Sequence, residues 1–434
     1  MIMSWRGARP CQLLLPVPDE RRFPMLPKLL LTPTSVAKVV VVTLILAGAA
    51  WGSPKYKVLH AFGKGTDGGG LWGSLAFDAN GNLYGTTSGG GAHGDGTVFE
   101  LAPQADGTWT ETILHSFPAF PDDGGGPMST PVLDAAGSVY ATTEGGGGGY
   151  TYGTVFELTP GSHGWKETVL HRFRPPSPAG SPDGPLVTDS SGSLYGTAYN
   201  PFELSLDSGR WKLTLLHDFP NGMGTAGGVT LDAAGNVYGV TWTGGTGKGC
   251  APPGCGIAYE LQPMPDGKWK EIVLHNFGSF GTDGRRPNGG LLLDSSANLY
   301  GTTDGGGKYV EQCSCGTVFK LTPDGHGRWK ETILHSFTFG PGGFAPSAGV
   351  VMDKAGNLYG VTGSGGDPNC ECGVVFKLSP GKDGEWKYAV LHRFQGPDGV
   401  APGASLILDD RGNLYGTTIL GGAYGAGVAF ELTP

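Results

Sequence analysis

One stretch of the sequence reads GGLLLDSSANLYGTT (Gly289–Thr303), then GTVFKLTP (Gly316–Pro323) and WKETILHSF (Trp329–Phe337). The apolar run into Asp294 predicts a first strand and a hairpin after it, because Asp accepts hydrogen bonds from backbone N–H groups two residues on. The segments that follow are rich in β-branched and aromatic residues, which favour strands. The stretch therefore predicts four short antiparallel strands, named a to d in chain order.

This four-stranded unit recurs along the chain. The L-H-x-F motif of strand d occurs seven times, at intervals of 46 to 60 residues, which is the size of a propeller blade. Tyr56–Phe62 (YKVLHAF) is a strand d with no a, b or c before it, and Gly427–Pro434 (GVAFELTP) is a strand c with no d after it. We predict an all-β, closed seven-bladed β-propeller of four-stranded blades, its last blade completed by the N-terminal strand. Such closure removes exposed sheet edges.

The first 53 residues differ from the repeats. The run VVVVTLILAGAA (Val39–Ala50) follows Lys28 and Lys38, is short for a transmembrane helix and leads into small residues, as in a secretory signal. Residues 1–53 are interpreted as leader and signal peptide, with Met25 as an alternative start, and 54–434 as a single propeller domain. An uncleaved anchor is the alternative. We expect no membrane span after cleavage and a secreted, periplasmic or extracellular location.

Composition excludes several classes of protein. Gly and Pro, at 80 and 33 residues, make up about a quarter of the chain, but 38% hydrophobic residues and 10 Trp argue against disorder. Beyond residue 53 the chain has 23 Lys/Arg and 36 Asp/Glu, a net charge of −13. This acidic balance disfavours nucleic acid and anionic membranes as partners. The domain is expected to be a monomer.

The d–a and b–c loops of a propeller emerge on one face, around the central channel. Here both loop sets are long and variable, so binding is expected on that face. Irregular aromatic residues in these loops can stack on sugars, although packing within the loops is the alternative: Trp72, Tyr150, Tyr152, Trp242, Tyr309, Phe344 and Tyr424. The regular Trp of strand d is expected to pack between blades. Blade 3 lacks a b–c loop (Thr197–Pro201), which leaves a notch for an extended ligand.

Histidines and aspartates recur in the repeat and are candidate metal ligands. The L-H-x-F histidines lie on the outermost strand of every blade and cannot converge on one ion, so a repeated hydrogen bond is expected and a zinc site is not. Asp–Gly pairs in the d–a loops predict carboxylates at the channel mouth that could hold Ca²⁺, although Asp–Gly also forms turns without a metal: Asp67, Asp123, Asp183, Asp283 and Asp398. No other cofactor is expected, since the glycine-rich loops lack a phosphate-binding motif.

Six of the seven cysteines lie in the b–c loops of three consecutive blades: Cys250 and Cys255, Cys313 and Cys315, Cys370 and Cys372. Pairing within each loop is the simplest interpretation, and the even number suits export to an oxidising compartment. Bridges between neighbouring loops are the alternative, because a C-x-C bridge is strained. A zinc site of four thiols would need a reducing compartment.

The repeated segments Gly81–Thr87 (GNLYGTT) and Gly96–Leu101 (GTVFEL), with the glycine-rich stretch between them, resemble the GloVer (Gloeo/Verruco) tandem-repeat proteins of bacteria. The resemblance covers residues 56–434 and implies an exported repeat protein, but it brings no established activity or catalytic residues. Many such relatives carry a C-terminal sorting segment. None follows the last strand here, so surface anchoring is not expected. The D-x-x-G-N-x-Y hairpin is also similar to that of NHL-type propellers.

These patterns favour a secreted, non-catalytic binding or interaction scaffold, with carbohydrate, cell-envelope material or a protein as ligand. No Ser-His-Asp order, Cys–His pair or isolated carboxylate dyad stands out from the repeat, so no catalytic residue is predicted. A lactonase-like or other propeller-type hydrolase with a metal at the channel mouth is the alternative. A structural surface component is a third hypothesis, since the fold alone does not decide function.

Overall fold

The computed structural model describes residues 53–118, 124–146, 152–174, 181–182, 184–220 and 223–434. These residues form seven antiparallel sheets of four main strands each, arranged in a ring as a seven-bladed β-propeller. Within these ranges no helix is long and apolar enough to cross a membrane. The predicted leader, residues 1–53, lies outside the described residues except for Ser53.

The strands follow the predicted a–b–c–d order in every blade. The a strands are Ala76–Phe77, Val132–Leu133, Val187–Thr188, Thr225–Leu231, Gly284–Leu293, Val351–Met352 and Ile407–Leu408. The b strands are Leu83–Thr87, Val139–Gly146, Leu194–Ala198, Val237–Thr241, Leu299–Gly306, Leu358–Ser364 and Leu414–Thr418. The c strands are Thr97–Pro103, Thr154–Gly161, Asn200–Asp207, Ile257–Pro263, Thr317–Pro323, Val374–Pro380 and Val428–Thr433. The d strands of blades 1 to 7 are Trp109–Ser116, Gly164–Arg172, Arg210–Leu215, Trp269–Asn276, Trp329–Ser336, Trp386–Arg393 and Lys55–Ala61.

Short additional strands connect the d–a loops to the ends of the b strands or to the b–c loops. Gly68–Gly69 pairs with Gly89–Gly90. Gly124–Pro127 and Phe344–Pro346 pair with the ends of the b strands in blades 2 and 6. These pairings fix the two loop sets against each other on one face of the ring.

The prediction that the N-terminal strand closes the ring is confirmed. Lys55–Ala61 pairs antiparallel with Val428–Thr433, from Lys55 opposite Thr433 to Ala61 opposite Val428. Leu59 and Phe62 from this N-terminal segment are buried. Blade 7 therefore contains strands from both ends of the chain.

The aspartate at the end of strand a shapes the a–b turn, as its position in the repeat predicts. Asp353 Oδ1 accepts hydrogen bonds from the backbone N–H groups of Ala355 and Asn357, both at 2.9 Å. Its Oδ2 accepts from the Asn357 side chain at 2.7 Å and from the Tyr359 hydroxyl at 3.0 Å. This network explains why Asp, Asn and Tyr recur together in the a–b hairpin.

The hydrophobic core lies between neighbouring blades. One cluster joins Val318 and Leu334 of blade 5 to Phe376 of blade 6, and Trp386 of strand d packs against it. The Trp386 ring centroid lies 6.5 Å from that of Tyr300 in the preceding blade. The expected packing of the regular strand d Trp between blades is confirmed.

Candidate functional site

The central channel opens into a cavity of about 450 Å³ whose lining comes from all seven blades. The lining is mostly Gly, Ser, Ala, Pro and Thr, with Trp72, Asn288 and Ile419 among its larger side chains. Among the residues that line this cavity, none carries a titratable side chain. The cavity thus offers backbone groups, hydroxyls and one indole ring.

The aspartates predicted at the channel mouth lie elsewhere. Asp67, Asp283 and Asp398 do not line the channel cavity. Each faces the histidine of a d strand, with shortest Nε2–carboxylate distances of 3.0, 3.2 and 2.8 Å. Their expected position is therefore corrected: the d–a loop starts at the outer strand, and its first turn keeps the carboxylate there. Two further members of the predicted set, Asp123 and Asp183, lie outside the described residues.

We call the contact between the d strands of two neighbouring blades a seam and name it by the blades that it joins. At the 4/5 seam, His275 Nε2 lies 3.2 Å from Asp283 and 3.7 Å from Glu331 of the next blade. The approach of imidazole to glutamate recurs at three other seams: His60–Glu111 at 3.6 Å, His115–Glu167 at 3.8 Å and His217–Glu271 at 3.5 Å. Among the described residues, His60, His275 and His392 each make a hydrogen bond to the aspartate of the following d–a loop.

Tyr replaces the glutamate at two seams. At the 6/7 seam, the Tyr56 ring stacks on the His392 imidazole with centroids 3.9 Å apart. The Tyr56 hydroxyl donates to the Asp398 carbonyl at 2.6 Å. Tyr388 stacks on His335 at the 5/6 seam in the same way, at 4.1 Å. The seam position therefore accepts a carboxylate, an aromatic ring or, in blade 3, the aliphatic Leu213.

The carboxylates of the seams have shifted proton affinities. Burial, followed by the neighbouring Asp67 carboxylate, raises the pKa of Glu111 to about 7. Burial, followed by the charge of Asp283, raises the pKa of Glu331 to about 9. Burial alone would raise the pKa of Asp67, but its hydrogen bonds outweigh this effect and lower it.

His335 gives a test of the seam by pH. Burial lowers the pKa of His335 to about 4. Between pH 6.5 and 4, His335 is therefore protonated in the unfolded chain but neutral in the folded protein. Stability should therefore fall as the pH decreases from 6.5 to 4, by about 3 kcal/mol in the limit. Urea unfolding of His335→Gln should show a smaller loss over this range than the wild type. The exposed His93→Gln variant is the control and should follow the wild type; parallel curves for all three proteins would contradict the prediction.

The first residue of the b–c loop varies from blade to blade. It is the residue directly after the last b–c pair of each blade: Ser88, Glu144, Tyr199, Trp242, Asp304, Gly363 and Ile419. Gly363 and Ile419 line the channel cavity. In blade 3, Ala198 pairs directly with Asn200, so Tyr199 alone makes the b–c turn that sequence predicted as a notch.

Two of these variable residues form a polar and aromatic cluster. The Arg286 guanidinium lies 5.9 Å from the centre of the Trp242 ring and 3.0 Å from the Asp304 carboxylate. Arg286 has a positive φ of 55°, where the equivalent d–a positions of other blades include Gly70, with φ 70°, and Ala401, with φ 52°. A large side chain in this backbone region is an outlier, and such outliers are enriched at functional sites. Burial raises the pKa of Asp304, although Arg286 opposes the shift.

The predicted aromatic set divides in the structure. Exposed members on the loop face are Trp72, Tyr152, Trp242 and Tyr424. Tyr309 and Phe344 are partly buried against the core cluster between blades 5 and 6, so loop packing explains these two. Tyr150 lies outside the described residues. Sequence reasoning missed three exposed aromatics in the same loop sets: Tyr199, Phe280 and Phe339.

Two residues that sequence reasoning missed, Tyr199 and Asp304, left a signal in the sequence. Alignment of the seven units on strand b places Tyr199, Trp242 and Asp304 in one column, directly after a position that is Thr or Ala. A column that changes chemistry within a regular repeat marks a position that the fold does not determine. Arg286 shows the same kind of departure in the d–a loops.

The six cysteines form three local disulfides, which confirms the simplest pairing. The bonds join Cys250 to Cys255, Cys313 to Cys315 and Cys370 to Cys372. The carbonyl of the second cysteine accepts a backbone N–H from the next d–a loop in each case; Cys255 accepts from Arg286 at 2.7 Å. The disulfides therefore stabilise the loops that hold Arg286 and its equivalents.

The fold is shared with solved structures of low sequence identity. An extracellular domain from a B. thetaiotaomicron protein described as a one component system has a TM-score of 0.52 and 13% identity, over 88% of this chain and 42% of that one. An ancestral GH74 enzyme has a TM-score of 0.51 and 14% identity, over 83% of this chain and 48% of that one. This chain spans less than half the length of either protein. Identities this low support the propeller fold and nothing finer.

No curated protein matches the chain. The profile of the Gloeobacter/Verrucomicrobia repeat matches residues 50–201 and 200–430, which together include nearly the whole repeat region. The match agrees with the resemblance carried by the recurring strand b and strand c motifs. The chain therefore belongs to the Gloeobacter/Verrucomicrobia repeat family.

Proposed function

We propose that this protein is an exported, non-catalytic binding protein that holds a carbohydrate on the face formed by its d–a and b–c loops. One observation carries the proposal. The exposed aromatic side chains of the described residues all belong to these two loop sets: Trp72, Tyr152, Tyr199, Trp242, Phe280, Phe339 and Tyr424. Exposed large apolar residues outside them, such as Leu206 and Met264, are aliphatic. An aromatic surface confined to one face fits recognition better than general surface composition.

Trp242 supplies the best-formed subsite. Its side chain is 50% exposed, and an indole face of this kind packs against the C–H face of a sugar ring. The ion pair of Arg286 with Asp304 beside it provides donors and acceptors for sugar hydroxyls. Arg285 and Arg286 also line an adjacent cavity of about 330 Å³, with Ser314 on its other side. Two guanidinium groups favour a carbohydrate that carries acidic groups.

The lining of the channel cavity, which has no titratable side chain, favours ligand binding over hydrolysis at the channel. A lactonase-like mechanism with a metal at the channel mouth needs carboxylate, histidine or similar ligands there. The lining instead offers Gly, Ser, Ala and Pro with Trp72, which is 48% exposed. Trp72 therefore gives the ligand a second aromatic contact at the centre of the ring.

Two features support export, and the charge of the domain bears on the ligand. Three disulfides form readily in an oxidising compartment and are rare in cytosolic proteins. The segment before the domain has the pattern of a secretory signal. The acidic balance of residues 54–434 disfavours nucleic acid as the ligand.

The experiment is binding of neutral and acidic glycans to an array, with Trp242→Ala, Trp72→Ala and Arg286→Ala compared with the wild type. We expect each Trp variant to weaken binding about tenfold or more, which corresponds to a stacking energy of about 1.4 kcal/mol. Arg286→Ala should weaken acidic glycans more than neutral ones. The control is Met264→Ala, an exposed side chain on the c–d turn of the opposite face, which should bind like the wild type. A wild type that retains no glycan, or Trp variants that bind as it does, would refute the proposal.

A further inference from the structure

A His, an Asp and a Glu from three separate segments meet at two seams. At the 4/5 seam the donors are His275 of strand d in blade 4, Asp283 of the following loop and Glu331 of strand d in blade 5. Each residue brings one donor atom, and the three atoms lie within 4.8 Å of one another. The side chains are 12%, 0% and 2% exposed, respectively.

The second cluster repeats this arrangement at the 7/1 seam, with His60, Asp67 and Glu111. His60 Nε2 lies 3.0 Å from Asp67 and 3.6 Å from Glu111. All three residues line a cavity of about 510 Å³, to which Lys64 and Tyr424 also contribute. This cluster is therefore open to solvent, whereas the cluster at the 4/5 seam is enclosed.

Three carboxylate oxygens of the glutamates in these clusters make no hydrogen bond: both oxygens of Glu331 and Oε1 of Glu111. A hydrogen bond from Glu331 to Asp283, or from Glu111 to Asp67, requires the glutamate to be protonated. An unpartnered buried carboxyl group is costly, and buried carboxylates are ordinarily paired or bound to a metal. At the 6/7 seam, where Tyr56 replaces the glutamate, the hydroxyl is hydrogen-bonded and the ring is stacked. Two seams thus retain an unsatisfied carboxyl group at a position where the fold also accepts a fully satisfied tyrosine.

Backbone groups already orient the aspartates. The Ser279 N–H donates to Asp283 Oδ2 at 2.7 Å, and the Gly68 N–H donates to Asp67 Oδ1 at 2.8 Å. The other oxygen of Asp67 faces the His60 imidazole, and both oxygens of Asp283 lie 3.2 and 3.3 Å from His275 Nε2. Outer hydrogen bonds of this kind fix the carboxylates that bind metals in proteins.

We propose that each of these two clusters binds one divalent cation of the zinc type, through the His Nε2 and one oxygen from each carboxylate. One imidazole and two carboxylates make a neutral site with Zn²⁺, and the nitrogen donor favours zinc over calcium. Ligand atoms about 2.0–2.1 Å from a tetrahedral Zn²⁺ lie roughly 3.3 Å apart. The separations from His275 Nε2 in the structure, 3.2 Å to Asp283 and 3.7 Å to Glu331, are close to that value. At the 7/1 seam the cavity leaves room for water as a fourth ligand.

The test is zinc binding to the untagged, chelator-treated full-length protein, measured by metal analysis after equilibrium dialysis against ZnCl₂. The Glu111→Gln/Glu331→Gln double variant should bind two fewer zinc ions per chain than the wild type, and each single variant one fewer. Zinc should also raise the wild-type Tm by roughly 7 °C at a hundredfold excess over Kd, about half from each site, and raise that of the double variant less. CaCl₂ at the same concentration should not displace the zinc.

Two further variants separate ligand loss from damage to the fold. Glu331→Tyr copies the residue that blade 6 carries as Tyr388, so it should keep the metal-free Tm and still lose one zinc ion. His392→Gln alters the seam that has no third ligand and should leave the zinc content unchanged. Equal zinc content in the wild type and the double variant would overturn the proposal, as would a wild type that binds no zinc.

Discussion

A chain that begins at Lys64 is expected to have a Tm about 6 to 12 °C below that of a chain that begins at Ser53. The deletion removes the whole register between Lys55–Ala61 and Val428–Thr433, together with the buried side chains of Leu59 and Phe62. Each buried side chain contributes about 1.5–3 kcal/mol and each lost hydrogen bond about 0.5–1.5 kcal/mol, for a total of about 5 to 10 kcal/mol. Scanning calorimetry of the two proteins provides the measurement.

A synthetic peptide of residues 53–63 serves as the control for this deletion. Added in excess, it should restore part of the lost Tm, because it can occupy the open edge of Val428–Thr433. A peptide with Leu59 and Phe62 both changed to Ala should restore less. Equal melting of the two chains without any peptide would show that the pairing does not close the ring.

Gly316→Ala is expected to destabilise the protein by about 2 to 5 kcal/mol. Gly316 has φ 91° and precedes strand c of blade 5, and an added Cβ would press on the Thr303 carbonyl oxygen and lie 2.7 Å from Pro346 Cδ. Both the left-handed backbone and the overlap with a neighbouring blade contribute. Equivalent glycines precede strand c in five other blades with φ from 92° to 104°: Gly96, Gly153, Gly256, Gly373 and Gly427.

Gly325→Ala isolates the backbone term of this prediction. Gly325 has φ 76°, but an added Cβ would meet nothing within 4 Å. The substitution should therefore cost only about 1 kcal/mol. Urea unfolding of both variants gives the two differences, and similar losses at the two positions would mean that the close approach of the blades is not tight.

The architecture could be predicted because the repeat encodes it several times over. Asp353 and Asn357 form their turn through hydrogen bonds within five residues, so the sequence motif alone predicts the turn. Ring closure was also predictable, since an unpaired strand d at one end and an unpaired strand c at the other are complementary. A fold can be predicted from its sequence when strand propensity, turn chemistry and repeat pattern all indicate the same structure, as they do here.

The candidate site was less predictable because a repeat specifies where loops emerge but not where their side chains point. Phe344 and Trp242 both interrupt the pattern, yet Phe344 packs into the core and Trp242 is half exposed. Asp283 was expected at the channel and instead faces His275. These outcomes depend on contacts between neighbouring blades, which no single unit of the sequence contains.

The pairing of Lys55 with Thr433 also constrains the order in which the strands of blade 7 can pair. The two residues are 378 positions apart, so the first strand made is among the last to find its partner. At about 5 to 20 residues per second, synthesis leaves that strand unpaired for roughly 20 to 75 seconds. Throughout this interval the backbone N–H and C=O groups of Lys55–Ala61 are available for wrong associations. Ring closure is thus a late step of biogenesis, because it waits for strand Val428–Thr433 to be made.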